Sequence, residues 1–322
     1  MGTAEFPVAK IHQIAALSCL AWVIVNIAAH LLSSWLWKGY KSLSTSNKLG
    51  WCNRIASAIH AIVLVSNQAW NLADPQLTAD PLFAVSDGHF RWGSVMYGYL
   101  IYDTLYTLVF YKAVGSPSFI LHHALGLVCC CFGLYFNKLA LFGIAIEVFF
   151  EGTTPLLHLL GCMKVAGLED TVAFLVAGLA FAAQFFVFRV VIAQYYWYLM
   201  IKSVLALEHR PAWGWAGIAV YGALSALNVF WFSKLVRMAV TTCTTPRASV
   251  QSRKRTSAFA REREENLLHG SYLKQVAQQG PKSFPLQHLQ SMTSECSADL
   301  AAHAMAAGVS ATVSVGSHKK MS

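Results

Sequence analysis

Charged residues are scarce in this chain. Only 12% of its 322 residues are Asp, Glu, Lys or Arg, and 15 acidic residues stand against 24 Lys and Arg. A soluble domain of this length rarely has so few charges, because charged side chains normally cover its surface. The scarcity argues against a soluble enzyme and against a soluble binding module.

Several motifs that mark common chemistries are also missing. The sequence has no glycine-rich phosphate loop, no nucleophile elbow and no CxxC pair. No His follows either member of the adjacent pair His122-His123 at i+4, so we expect no metal site and no other cofactor. Much of the positive charge lies beyond residue 233, but no nucleic-acid recognition fold accompanies it. We therefore expect membrane lipids as partners, through attraction to an anionic lipid surface, and not nucleic acid.

Long apolar runs are abundant instead. Hydrophobic residues make up 56% of the chain and the mean hydropathy is +0.48. Runs of roughly 20 apolar residues match the thickness of the hydrocarbon core of a bilayer. The sequence therefore predicts an all-α, multi-pass transmembrane helix bundle. We expect about seven spans, at residues 11–37, 54–73, 93–112, 118–136, 139–160, 171–200 and 213–238.

The composition divides the chain into three parts. We expect a first span with its loop at 1–50, a membrane domain at 51–242 and a disordered, basic cytosolic tail at 243–322. The printed sequence ends in Lys319-Lys320-Met321-Ser322. Lysines at these positions match the dilysine signal through which coat proteins return membrane proteins to the endoplasmic reticulum. This signal favours the endoplasmic reticulum as the location.

The charges of the loops predict the orientation. The loop after the first span is the most basic and includes Lys38 and Lys41, whereas the loop after the second carries Asp74, Asp80 and Asp87. Because Lys and Arg are enriched in cytosolic loops, we expect a lumenal amino terminus and a cytosolic carboxyl terminus.

Polar side chains inside the predicted spans are the candidate functional residues, because a bilayer penalises such groups unless they are paired or used. The stretch 119–155 holds His122-His123 and the acids Glu147 and Glu151. Counted at about 1.5 Å per residue, most of these groups fall near mid-bilayer or in its cytosolic half, where they suggest one polar cavity. The remaining candidates lie on other spans: Asn53, Arg54, His60, Asp103, Arg189 and Asn228.

A stripe of small residues follows His122 on one helical face, at Gly126, Cys129 and Gly133. Two interpretations stay open. Small residues allow neighbouring helices to pack closely, or they leave a slot beneath the histidine for an alkyl chain.

Two further features constrain the central spans. Pro155 cannot donate a hydrogen bond to the carbonyl group of Glu151, so we expect a kink in that span. Arg189 stands among phenylalanines, and an unpaired cation there would be costly. We expect Arg189 to pair with Asp103, Glu147 or Glu151.

Taken together, several segments resemble the TLC-domain family, which includes the ceramide synthases. The resemblance runs from about Trp51 to Lys234 and fits the subgroup named simply TLC-domain-containing proteins better than the ceramide synthases proper. It implies a role in membrane lipid composition and homeostasis. The segments that carry it are residues 51–60, 79–82, 98–103, 111–115 leading to the histidine pair, 151–155, Arg189 and 228–231.

The resemblance also suggests a chemistry. Ceramide synthases transfer a fatty acyl group from acyl-CoA to a sphingoid amine, and their adjacent histidines are essential. By this resemblance His122 and His123 would be catalytic, with Glu151 or Asp103 orienting one imidazole. The chain departs from the pattern downstream, where Glu151-Gly-Thr-Thr-Pro155 replaces the acidic motif. Substrate contacts would come from Asn53, Arg54, His60, Gly126, Arg189 and Asn228.

Three hypotheses follow. The first is a lipid-homeostasis protein of the endoplasmic reticulum that binds an acyl lipid without turnover. The second is an acyltransferase with acyl-CoA as co-substrate, in which His122 is preferred because it begins the small-residue stripe. The third is a transporter or receptor, which would favour internal repeats or interrupted helices that the sequence does not show.

Overall fold

The computed structural model describes residues 6–244, and within that range every regular element is helical. The dilysine sequence and nearly all of the expected tail lie outside the described residues. The elements are α1 (Val8–Leu36), α2 (Lys38–Lys41), α3 (Thr45–Leu72), α4 (Pro75–Ala79), α5 (Asp87–Val109), α6 (Tyr111–Val114), α7 (Pro117–Leu134), α8 (Ala140–Glu151), α9 (Thr154–Val165), α10 (Val172–Phe185), a π-helical segment (Phe186–Ile192), α11 (Ala193–Leu205) and α12 (Ala212–Thr244).

Six helical stretches between residues 6 and 244 are long and apolar enough to cross a membrane: Val8–Leu36, Thr45–Leu72, Pro117–Leu134, Ala140–Val165, Val172–Leu205 and Ala212–Val240. The prediction of an all-α, multi-pass membrane protein is confirmed. The expected third span corresponds to α5, a helix of 23 residues. Asp103 and several tyrosines make α5 less apolar than the other six.

Hydroxyl side chains fix the starts of several helices. A Ser or Thr side chain at each of these N-caps accepts a hydrogen bond from a backbone N–H of the first turn. At α7, Ser116 accepts from Phe119 and Pro117 occupies the first turn, so the helix carrying the histidine pair begins at a defined residue. The other caps of this kind are Ser44 of α3, Ser86 of α5 and Thr171 of α10.

Helix α5 lies inside the bundle, against α1 and α7. Ser18 on α1 donates a hydrogen bond to the Val95 carbonyl oxygen at 2.8 Å. A Cβ atom on Gly98 would collide with the Ala15 carbonyl oxygen and would lie 2.8 Å from the Ser18 Cβ. The two helices therefore cross closely because position 98 has no side chain.

Helix α3 packs against both α8 and α9, and a second core joins α8 to α11 and α12 through Phe142, Met200 and Tyr221. Because successive long helices run in opposite directions, one end of the bundle holds the start of α3, the end of α5, the start of α7 and the end of α9. We call this the first-loop end, since residues 37–44 join α1 to α3 there.

Candidate functional site

The adjacent histidines face different neighbours. The His123 side chain is buried, and its Nε2 lies 3.4 Å from Asp103 Oδ2. Asn53 Nδ2 donates a hydrogen bond to the other carboxylate oxygen, Oδ1, at 2.9 Å. Residues from α3, α5 and α7 thus form one cluster of amide, carboxylate and imidazole, which we call the Asp103 cluster (Asn53, Asp103 and His123).

Aromatic side chains support the Asp103 cluster from within the bundle. The Tyr99 hydroxyl lies 2.8 Å from Ser57 Oγ and 3.4 Å from Asp103 Oδ2. The His60 ring stacks on the Tyr99 ring, with centroids 3.5 Å apart, and the Trp22 ring meets His60 edge-on at 5.0 Å. His60 is fully buried in this stack, so it reaches the cluster through Tyr99.

His122 points toward α8 and α12 instead. Its ring centroid is 5.4 Å from that of Trp231 and 6.3 Å from that of Phe150. The Nδ1 atoms of both histidines are buried, and neither has a hydrogen-bond partner among residues 6–244. The two rings, 5.9 Å apart, therefore belong to different surroundings, as the angle of about 100° between adjacent helical residues requires.

Arg189 is held by neutral oxygens. Its Nε donates to Thr153 Oγ1 at 2.7 Å and its Nη1 to Asn228 Oδ1 at 3.3 Å. Its Nη2 donates to the Phe150 carbonyl oxygen and, at 3.5 Å, to Thr154 Oγ1. The guanidinium also lies over the rings of Phe150 and Phe185, 5.4 and 5.1 Å from their centroids.

The prediction that Arg189 forms an ion pair with Asp103, Glu147 or Glu151 is therefore wrong. Among the described residues no carboxylate oxygen lies within 4.0 Å of its guanidinium nitrogens. Glu151 interacts electrostatically with both Arg189 and Asp103, but its carboxylate oxygens lie more than 4.0 Å from the guanidinium nitrogens. Hydroxyl, amide and carbonyl oxygens satisfy the cation where an acid was expected.

Two irregular segments shape the Arg189 site. The stretch Gly152-Thr153 interrupts the helix between α8 and α9, in the region where Pro155 predicted a kink. Gln184 donates a hydrogen bond to the Gly152 carbonyl oxygen at 3.0 Å. Arg189 itself lies in the π-helical segment Phe186–Ile192. Such segments are rare and frequently occur at functional sites, and nothing in the sequence predicted this one.

Glu147 forms a hydrogen-bonded chain with two amide side chains of α3. It accepts a hydrogen bond from Gln68 Nε2, and Asn71 donates to Gln68 Oε1 at 2.6 Å. Both amides lie in the last turns of α3, at the end of the bundle opposite the histidine pair. The prediction of one polar cavity did not include these two amides, which lie near the end of the predicted second span. Glu147 connects them to the central acids through its electrostatic interaction with Glu151, one turn along α8.

The small-residue stripe on α7 accommodates neighbouring side chains. A Cβ atom on Gly126 would meet Leu100 Cδ1 at 3.2 Å, and one on Gly133 would meet His89 Cε1 at 2.6 Å. Leu100 and His89 thus occupy the space in which an alkyl slot was expected, and close helix packing is the interpretation that fits.

An apolar groove lies elsewhere on α7. It is open, has a volume of about 580 Å³ and runs between the end of α5, the start of α6 and the first turns of α7. Its lining consists of Leu108, Tyr111, Pro117, Ile120, Leu121 and Ala124.

Asn53 and Arg54 also diverge, although they are adjacent in sequence. Asn53 faces Asp103, whereas the Arg54 side chain lies between α3 and α9, against Gly50 and Gly161. No group of three or more His, Cys, Asp or Glu side chains within residues 6–244 is arranged to hold a metal ion.

Comparison with known proteins identifies the fold family. The family model of the TLC domain matches residues 50–237, more than half of the chain. TLC domain-containing protein 4-B of Xenopus laevis is 27% identical over 240 residues, which cover 69% of this chain and 87% of that protein. TLC domain-containing protein 4 of Xenopus tropicalis is 29% identical over 206 residues, 62% and 78% of the two chains. TLC domain-containing protein 2 of Danio rerio is 24% identical over 198 residues, 59% and 77% of the two chains. The matched residues include the helices that carry the histidine pair, Asp103 and Arg189. This multi-pass membrane protein therefore belongs to the TLC-domain family.

Proposed function

We propose that this protein binds an acyl lipid within the membrane and acts in membrane lipid homeostasis in the endoplasmic reticulum. The observation that carries the proposal is the open apolar groove of about 580 Å³ beside the histidine pair. Its volume falls in the usual range of small-molecule sites. Leu121 directly precedes His122 and Ala124 directly follows His123, so groove and pair occupy the same turns of α7.

Apolar burial alone does not select a ligand here. Lipid tails are as apolar as leucine, so a chain gains little by moving from the bilayer into the groove. Selection must therefore come from shape and from polar groups. Tyr111 provides the hydroxyl group among the six lining residues, at the first-loop end. A lipid with its chain in the groove would place its headgroup at this end of the bundle.

Filling the groove tests the proposal. Ala124 is exposed on the groove face of α7, and Ala180 is exposed on α10. We expect Ala124→Trp to reduce the acyl lipid retained by the purified protein, measured by lipid mass spectrometry, and Ala180→Trp to retain as much as wild type. The proposal fails if wild type retains no acyl lipid, or if Ala124→Trp retains an equal amount.

A second function, acyl-CoA-dependent acyl transfer of the ceramide-synthase type, is favoured by one observation. His123 Nε2 lies 3.4 Å from Asp103 Oδ2, while Asn53 holds the other carboxylate oxygen. With the proton on Nε2, this contact leaves the buried, unpartnered Nδ1 as the basic atom. Asp103 would fix the tautomer and stabilise the imidazolium, as the third member of a triad does.

The reaction would transfer the acyl group from the CoA sulfur to an acceptor nucleophile. The acceptor proton would pass to His123 Nδ1 and then to the departing CoA thiolate, so that free CoA leaves as a thiol. This geometry favours His123 over His122, which reverses the preference drawn from the small-residue stripe. His122 lies beside Trp231 and Phe150 and has no carboxylate contact within 4.0 Å among the described residues.

Acyl transfer can be measured in purified, folded protein incubated with acyl-CoA and candidate acceptors. We expect His123→Ala to lose more activity than His122→Ala. No turnover by wild type on any acyl-CoA, or full activity in the double alanine variant, would end the catalytic hypothesis and leave lipid binding as the remaining function.

A further inference from the structure

Arg54 is a cation whose hydrogen-bond donors have no protein acceptor among residues 6–244. Within residues 6–244 its guanidinium makes no ion pair and no hydrogen bond with another side chain or with the backbone. This differs from Arg189, whose donors are taken up by four oxygens of Phe150, Thr153, Thr154 and Asn228. A guanidinium presents five N–H donors, so the donors of Arg54 remain available to a ligand.

The site around Arg54 is shaped by two glycines. A Cβ atom on Gly50 of α3 would lie 3.1 Å from Arg54 Nη1, and one on Gly161 of α9 would lie 2.5 Å from Arg54 Nε. The side chain therefore lies across the contact between α3 and α9, in space that exists because both positions lack side chains. The Arg54 residue is half-buried, so part of it remains exposed at the surface of the bundle.

The neighbouring groups do not neutralise this charge. His158, one turn from Gly161 on α9, interacts electrostatically with Arg54, but an imidazole carries no negative charge that could neutralise the guanidinium. The acid nearest the end of α9, Glu169, pairs with Lys164 at 3.7 Å. No carboxylate among residues 6–244 therefore lies within 4.0 Å of the Arg54 guanidinium, which leaves a place for an anionic ligand.

The depth of Arg54 identifies the kind of ligand. Helix α3 has 28 residues, so at about 1.5 Å per residue it exceeds the hydrocarbon core of about 30 Å by about 12 Å, or about 6 Å at each end. The guanidinium reaches back to the level of Gly50, about 8 Å from the start of α3. Gly161 is likewise close to the end of α9. Both distances place the charge at the boundary between acyl chains and headgroups, where lipid phosphates lie.

We propose that Arg54, in the glycine-lined cleft between α3 and α9, binds the phosphate group of an amphiphile. Guanidinium groups match phosphate through two parallel N–H···O hydrogen bonds. The two sources of this chemistry at a membrane surface are a phospholipid headgroup and the phosphates of an acyl-CoA. The inference rests on the proposed lipid-binding function and adds the headgroup chemistry that the apolar groove does not supply.

The test compares two ligands that differ only in phosphate. The purified full chain in an uncharged, phosphate-free maltoside detergent is titrated with phosphatidic acid and with diacylglycerol of the same chains, and binding is followed by native mass spectrometry. We expect wild type to prefer phosphatidic acid by at least about tenfold, the worth of one charge-assisted hydrogen bond. Arg54→Gln should abolish the preference and Arg54→Lys should keep part of it.

Two further variants make the result specific. Gly161→Ala should weaken the preference by displacing the Arg54 side chain, which covers the case in which Arg54→Gln does not fold. Arg91→Gln removes an exposed cation that pairs with Asp87 at 4.0 Å, and it should bind as wild type does. Equal binding of both ligands by wild type, or an unchanged preference in Arg54→Gln, would overturn the proposal.

The same titration identifies the source of the phosphate. It also separates the Arg54 proposal from the groove proposal. Competition by acyl-CoA that Arg54→Gln abolishes would assign the site to acyl-CoA phosphates. A phosphatidic acid preference that acyl-CoA does not compete away would assign it to a lipid headgroup. Ala124→Trp should weaken the binding of phosphatidic acid and diacylglycerol equally and leave the ratio of their affinities unchanged. Failure of the groove proposal is therefore distinguishable from failure of the Arg54 proposal.

Discussion

Arg189 shows how a buried cation is stabilised without an acid in contact. Arg189 is 5% exposed. Its hydrogen bonds reach the Phe150 carbonyl and the Thr153 hydroxyl at the break between α8 and α9, and the Asn228 amide oxygen of α12. A bare cation at this depth would be costly. The break makes the arrangement possible because it brings Thr153 and the Phe150 carbonyl to the same point.

Replacement of Arg189 should therefore destabilise the bundle. In Arg189→Leu, two or three buried acceptors lose their donor, at about 1 kcal/mol or more each, so we expect a loss of about 2–4 kcal/mol in the free energy of unfolding. Arg189→Lys should lose less, since it keeps the charge but not the planar fork. Lys234→Leu, which removes an exposed cation 4.2 Å from the Phe230 ring centroid, is the control and should change stability by about 0.5 kcal/mol or less. The measurement is denaturant unfolding in detergent micelles, and Arg189→Leu as stable as wild type would contradict the account.

For single residues, the sequence identified the buried polar side chains more accurately than it identified their contacts. Polar side chains in apolar spans were identifiable individually, and the contact between His123 and Asp103 was among the expected pairings. The partners of Arg189 were not, because they depend on a π-helical segment that no local pattern announces. The divergence of Asn53 and Arg54 was also missed, since adjacent residues on a helix face different neighbours and the sequence does not say which.

Among the helices, the contact between α1 and α5 depends on one position. Glycine in a helix interior is normally destabilising by up to about 1 kcal/mol relative to alanine. At Gly98 a Cβ atom would strike the Ala15 backbone and the Ser18 Cβ, whereas at Gly143 on α8 nothing lies within 4 Å. Backbone cannot move aside as a flexible side chain can, so position 98 tolerates only glycine without separation of the helices.

The two glycines make a matched pair of substitutions. We expect Gly98→Ala to lower the unfolding midpoint, with a loss of about 1–3 kcal/mol from overpacking. Gly143→Ala should leave stability unchanged or raise it by up to about 1 kcal/mol, since only the intrinsic helix preference acts there. Both are measured by thermal unfolding in the same detergent. A Gly98→Ala variant as stable as Gly143→Ala would show that α1 and α5 do not cross as closely as described.

The element pattern was the most predictable level. Apolar length located every long helix, because bilayer thickness and helix rise together fix how many residues a span needs. Helix α5 carries Asp103 and yet lies inside the bundle, between α1 and α7. Its polarity reflects the contacts it makes with Asn53, Ser57 and His123 and not exposure to water.

For the whole molecule, the role of α5 determines the topology. If α5 crosses the membrane with the six more apolar helical stretches, the number of crossings is odd and the two ends of the membrane domain face opposite sides. If α5 does not cross, both ends face the same side. The packing of α5 between α1 and α7 favours the first arrangement. With the basic first loop on the cytosolic side, as the loop charges predict, the carboxyl end would then also be cytosolic.

Glycosylation reporters can decide this, because the sequence contains no natural Asn-x-Ser/Thr acceptor. An Asn-Ser-Thr acceptor in a polar linker is inserted before Val8 in one variant, between Asp80 and Ser86 in a second, between Lys38 and Ser44 in a third and after Thr244 in a fourth. We expect glycans on the first two and none on the last two, seen as a mass shift on gel electrophoresis. Those glycans should stay sensitive to endoglycosidase H if the protein resides in the endoplasmic reticulum, since later compartments process them.

Glycans on both the first and fourth reporters would mean an even number of crossings, in which α5 does not cross the membrane. If the second reporter is unmodified and the third is modified, the orientation is opposite to the predicted one. Arg54 and the histidine pair would then lie nearer the lumen, where a cytosolic acyl-CoA cannot reach them.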